Sequence, residues 1–90
     1  MKLVWQPSAR QDRERIYRYI YANAPKSAQQ LDLIFKQAAL GLIDYPERGR
    51  SGRIAGTREL VVHPNYILVY RLKPDLIEIL TVIHAAQRWP

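Results

Sequence analysis

His84, Glu59 and a group of arginines are the side chains of this sequence whose types could do chemistry together. Metal-independent RNA cleavage needs a base for the ribose 2′-hydroxyl proton, an acid for the leaving oxygen and cations for the phosphorane. Histidine as a residue type has a reference pKa near neutrality, so His84 suits either proton-transfer role. Glu59 suits the base. Arg58 and Arg71 suit the phosphate, because a guanidinium is too basic to shuttle protons at neutral pH. A second reading needs no proton transfer. Arg50, Arg53, Arg58, Arg71, His84 and Arg88 would then form a basic contact surface. Structural roles also fit the same residues. Glu59 could pair with an arginine across strands, Arg71 with Asp75 or Glu78, and His84 could be a hydrogen-bonded residue at a strand end.

Other chemistries fall away. The chain has no cysteine, which removes disulfides, thiolate catalysis and cysteine-ligated metals. Its two histidines, His63 and His84, stand 21 residues apart and make a poor zinc site. Gly49-Arg50-Ser51-Gly52 lacks the lysine of a phosphate-binding Walker loop. The serines have no histidine–acid arrangement for acyl transfer. No cofactor and no metal are expected.

The 90 residues suffice for one domain, 1–90, with a single small core. Hydrophobic residues at 48% and charged residues at 24% argue against wholesale disorder. No apolar run reaches a membrane span and no signal-peptide core opens the sequence, so a cytoplasmic protein is expected. Fourteen basic residues against 8 acidic give a net charge of +6, which points to a polyanion or an acidic protein as partner.

The elements that must position these side chains follow from periodicity. Lys2–Trp5 reads as a short edge strand closed by Pro7. Ser8 is predicted to cap a helix, with Gln11 completing a capping box. Ala9, Ile16 and Ile20 mark its inner stripe, and Asn23-Ala24-Pro25 breaks it. A second helix follows, with apolar positions Ala28, Leu31, Phe35, Ala38, Leu42 and Tyr45, ended by Pro46. Glu47 to Gly56 holds three glycines and three arginines and reads as a basic surface loop. The period then changes to two. Arg58–His63, Tyr66–Leu72 and Leu76–His84 read as strands joined by the tight turns at Pro64-Asn65 and Lys73-Pro74-Asp75. Tyr66–Tyr70 is apolar on both faces, as a central strand is. The fold class is α+β in two layers, β-α-α-β-β-β. A helical hairpin packs on one face of a mainly antiparallel four-stranded sheet and leaves the other face partly open for function.

Element order, the Gly56-Thr57-Arg58-Glu59-Leu60 and Tyr66-Ile67-Leu68-Val69-Tyr70-Arg71 strands, and the closing Val82-Ile83-His84-Ala85-Ala86-Gln87-Arg88-Trp89-Pro90 carry a resemblance. Over Leu3 to Trp89 the chain resembles the RelE/ParE superfamily of type II toxin–antitoxin toxins. The resemblance implies a stress or plasmid-maintenance toxin silenced by a cognate antitoxin. RelE-like members cut mRNA on the ribosome, and ParE-like members inhibit DNA gyrase without being nucleases. The RNA-cleaving members carry an arginine where this chain has Ile67, and a catalytic side chain just past the last strand where it has Ala85, Ala86 and Gln87. The ending looks more like the ParE side. The implied partners are an acidic, partly disordered antitoxin segment, with DNA gyrase as target and the ribosome with its mRNA as the alternative. A groove beside the helical hairpin and an exposed sheet edge are the expected antitoxin docking places.

Overall fold

A computed structural model describes residues Met1–Pro90. The element order is β1 (Lys2–Trp5), α1 (Pro7–Tyr21), α2 (Pro25–Gly41), β2 (Arg50–Ser51), β3 (Arg58–His63), β4 (Tyr66–Lys73) and β5 (Leu76–His84). The two helices pack on one face of a five-stranded sheet ordered β1-β5-β4-β3-β2. The α+β class and the helical hairpin match expectation. The strand count does not. The additional strand is β2, a two-residue piece inside the arginine loop that pairs antiparallel with β3. A ten-residue stretch rich in glycine and arginine has no strand period, so so short a strand leaves no pattern to read. The sheet is mixed, because β1 runs parallel to β5 at the edge.

Each helix starts on a proline, where the missing N–H would find no intrahelical partner. The capping role expected of Ser8 is not seen. Gln6 is the N-cap residue, and Ser8 lies inside the first turn. Its hydroxyl instead donates to the Leu80 carbonyl at 2.6 Å. Asp12 acts alongside it, accepting from the Val82 N–H at 3.1 Å and from the Thr81 hydroxyl. β1 pairs with β5 only as far as Ile79. Ser8 and Asp12 therefore complete the edge of β5 where β1 has ended, and that docks α1 on the sheet.

α2 buries Ala28, Leu31, Phe35 and Ala39, and Leu42 follows in its C-cap. Tyr45 is exposed rather than part of the expected stripe, because the helix ends at Gly41 and residue 45 lies beyond the following turn. The core joins this stripe and Ala9 to Leu68, Tyr70, Ile77, Ile79 and Val82 of the sheet. Fully burying a side chain such as Phe35 stabilises the fold by roughly 1.5–3 kcal/mol. β4 is the central strand, as its two-sided apolar run requires.

The second sheet face is not bare. Ile67, Val69 and Ile83 form a small buried cluster there, with Leu80 and Trp89 packed against it. The residues after β5 thus return across the face opposite the helices. The Gln87 carbonyl accepts from Arg53 Nη1 at 3.3 Å, which ties that return to the arginine loop.

Candidate functional site

The arginine loop is held rather than left to solvent. Tyr70 is fully buried, and its hydroxyl donates to the Pro46 carbonyl at 2.7 Å while accepting from the Gly49 N–H at 2.8 Å. Burial raises the Tyr70 pKa from 10.0, against the opposing pull of the Gly49 hydrogen bond and the nearby Arg58 charge. Arg58 Nη1 donates to the Gly49 carbonyl at 2.8 Å and to the Glu47 carbonyl at 3.3 Å. Thr57 closes the loop's far end through its hydroxyl to the Ile54 carbonyl. Gly52 must stay small, since a Cβ there would meet the Thr57 hydroxyl at 2.1 Å.

Glu59 sits under this loop with 2% exposure. It faces Arg50 across the β2–β3 ladder. One carboxylate oxygen lies 3.4 Å from Arg50 Nη2. The other accepts from the Arg53 N–H at 2.9 Å and lies 3.5 Å from Arg53 Nε. Glu59 is thus the cross-strand partner of an arginine, and both of its oxygens are engaged.

Arg71 pairs with Glu78 directly across the β4–β5 ladder. Its guanidinium lies 3.2 Å from the Glu78 carboxylate, and the Lys73 ammonium lies at the same distance. Gln6 at the end of β1 donates to the second oxygen. The Lys73 hydrogen bond, reinforced by Arg71, holds the Glu78 carboxyl below its ordinary value of 4.5 despite burial. The role of Lys73 was not foreseen. Its signal was present in the tight Lys73-Pro74-Asp75 turn, whose hairpin register brings positions 71 and 73 alongside 78 and 76.

His84 lies elsewhere. It is opposite Tyr66 in the ladder, and its ring stands 5.4 Å from the Tyr66 ring, which in turn packs edge-on against Phe35 of α2. His84 is therefore on the helical side of the sheet, whereas Glu59, Arg71 and Glu78 are on the other. Strand spacing and rise put Glu59 and His84 roughly 14 Å apart along the backbone lattice. His84 Nδ1 accepts from the Ala86 N–H at 3.1 Å. His63 makes the same bond to the Asn65 N–H at 3.1 Å. Arg88 is exposed just after the turn that His84 opens. The fold thus gathers Arg50, Arg53 and Arg71 on one sheet face, uses Arg58 inside the loop, and sets His84 apart. No group of three or more histidine or acidic side chains could hold a metal ion. No helix is long and apolar enough to cross a membrane.

Residues 3–89 match the family model described as the ParE toxin of the type II toxin–antitoxin system parDE. The Y4kP protein of Sinorhizobium fredii is 40% identical over 90 residues, covering 99% of this chain and 93% of that protein. Toxin RelE2 of Caulobacter vibrioides is 41% identical over 86 residues, covering 96% of this chain and 97% of that protein. Among solved structures, the chromosomal ParDE toxin–antitoxin system from P. aeruginosa superposes with a TM-score of 0.82 at 23% identity, over 93% of this chain and 95% of that one.

Proposed function

This chain belongs to the ParE toxin family of type II toxin–antitoxin systems, and we propose that it acts by binding DNA gyrase and trapping its cleaved-DNA state. A toxin of this kind implies a cognate antitoxin as partner. The observation that supports a binding mechanism is the separation of the two candidate proton-transfer groups. Glu59 and His84 occupy opposite faces of the sheet, and Glu59 has both oxygens taken up by Arg50 and Arg53. A base and an acid must reach the same phosphodiester within hydrogen-bond distance. In the reading proposed here Arg50, Arg53, Arg71 and Arg88 supply the contact with the gyrase–DNA complex, His84 borders it, and Arg58 keeps the loop in place.

The antitoxin segment docks, in this reading, along the outer edge of β3. β2 pairs only with Arg58 and Glu59, so Leu60 to His63, paired to β4 on their inner side, have no strand on their outer side. Exposed Ile34 of α2 lies at the groove above that edge, with half-buried His63 and Tyr66 on its sheet side. An acidic segment gains both added strand pairing and apolar contact there.

The experiment is a DNA gyrase assay with purified protein, reading supercoiling inhibition and cleaved DNA over one titration. Linear DNA rising with dose is the expected result. No effect at micromolar excess, together with cuts in ribosome-bound mRNA, would replace this reading with the endonuclease one.

A further inference from the structure

The sheet face away from the helices carries one arrangement twice. Under the arginine loop, the Glu59 carboxylate has 2% side-chain exposure, while the Arg50 and Arg53 side chains above it have 60% and 37%. On β5, the Glu78 side chain has 7% exposure, while those of Arg71 and Lys73 have 46% and 51%. In each cluster the negative charge lies beneath and two positive charges face solvent, for a net charge of +1. Each carboxylate fixes the direction of its cations without using all their donors, since a guanidinium has five N–H groups and an ammonium three. Glu59 is opposite Val69 and Glu78 is opposite Arg71, so the clusters are two strands apart and two residues offset. Strand geometry sets them about 12 Å from each other.

We propose that this face binds the phosphodiester backbone of duplex DNA, with Arg50 and Arg53 taking one phosphate and Arg71 and Lys73 another. The face offers charge and little else. Its apolar residues Ile67, Val69 and Ile83 are 3%, 0% and 1% exposed, with Trp89 packed against them. Val4 and Val61 remain exposed at opposite rims of its strands, and Ile54 in the arginine loop is 39% exposed. A protein partner gains its affinity from desolvated apolar anchors. A phosphate backbone gains it from counterion release and needs none. Other large apolar side chains open to solvent lie on the helices, Tyr19 and Tyr21 on α1 and Leu33, Ile34 and Leu40 on α2. Single strands are held largely by stacking on free aromatic rings, and Trp89 is already packed. Duplex backbone is the ligand that asks only for what this face presents. The inference rests on the gyrase reading for its purpose, because the substrate of gyrase is duplex DNA, but its geometry stands apart from that reading.

The test is fluorescence anisotropy of a labelled mixed-sequence duplex titrated with the full chain across a salt series. Two phosphates neutralised, one per cluster, predict a slope of log K against log salt of about −1.8, by the usual 0.9 per phosphate. The pair R50A/R53A and the pair R71A/K73A should each bring that slope to about −0.9. K26A/K36A removes the same charge from exposed positions of α2 and should leave the slope unchanged. Thermal melts establish that each variant folds, and the wild-type slope stands without any variant. Three results would overturn the inference: no duplex binding at low salt, equal loss in K26A/K36A, or binding of poly-glutamate but not DNA. Gyrase poisoning that persists without any duplex binding would sink this inference and leave the gyrase reading in place.

Discussion

The Tyr70 ring stands where a side chain on residue 49 would have to go. A Cβ at Gly49 would come within 2.7 Å of both the ring and its hydroxyl. The close approach lets the Gly49 N–H donate to that hydroxyl, and the hydroxyl in turn donates to the Pro46 carbonyl. One buried phenol on the central strand thus sets the start of the arginine loop.

Tyr70→Phe keeps the ring and removes both bonds. It leaves a buried N–H without its partner, which costs about 1–3 kcal/mol. Gly49→Ala meets the same ring and should cost a similar amount, since overpacking typically costs about 1–3 kcal/mol. Urea denaturation measures both. Two variants at wild-type stability would mean that the loop is held by Arg58 and Thr57 alone.

The pH dependence has two ends with opposite signs. Burial raises the Tyr70 pKa above 10.0, so above that pH the folded state holds a proton that the unfolded state releases. Stability therefore falls as pH rises past 10.0. Tyr70→Phe should lack that share of the alkaline loss. Glu78 is held below 4.5 by Lys73 and Arg71, so below that pH the unfolded state takes up the proton first. The stabilisation is present above 4.5 and is lost as pH falls through the lower folded value. Glu78→Gln should lose less stability than wild type between about pH 5 and about pH 3. Chemical denaturation across the two ranges checks both signs.

Arg13 joins three elements. It makes a two-point bond to Asp32 at 3.0 and 2.9 Å, and its guanidinium lies 4.4 Å from the Trp5 ring centre. It thereby ties α1 to α2 and to β1. Arg13→Ala should cost about 1–2 kcal/mol, the sum of a well-formed half-exposed pair and a cation–π contact. A double-mutant cycle with Asp32→Ala should return a coupling of about 0.5–1 kcal/mol. Additive losses would assign the cost to packing on Trp5.

The fold was legible where one period governs a whole element. Phe35 and its neighbours at steps of three and four wrote α2, and the two-sided apolar run of Tyr66–Tyr70 wrote the central strand. What escaped depended on contacts between distant residues. Ser8 has the sequence context of a helix cap, yet Pro7 takes the first helical position and the Ser8 hydroxyl goes to Leu80 across the fold. Arg58 reads as a phosphate or contact-surface cation at the start of a strand, and only tertiary structure turns it onto the Gly49 carbonyl. The Arg71–Glu78 pair was within reach, because a tight hairpin fixes its register. The separation of Glu59 from His84 was partly so. Residues 59 and 84 lie opposite Val69 and Tyr66 of β4, three positions apart and so on opposite faces, and that relation depends on the registers of two hairpins together.

His84 gives the sharpest division between mechanisms. Its Nδ1 accepts the Ala86 N–H and its ring packs on Tyr66, so it anchors the turn that leads to Arg88 and Trp89. His84→Ala removes that anchor, and His84→Asn restores an acceptor close to the Nδ1 position. For a binding mechanism, His84→Ala should lower gyrase poisoning by less than about tenfold, the equivalent of 1.4 kcal/mol. His84→Asn should recover most of the loss, because an amide oxygen can take the same N–H. A proton-transfer role predicts the reverse pattern. Both variants would then lose on the order of 10²–10⁴-fold in mRNA cleavage, since neither side chain titrates near neutrality. Parallel titrations on gyrase and on programmed ribosomes, with a melt to confirm folding, separate the two. A deep loss in both variants would move His84 from the border of a contact surface to the centre of a reaction.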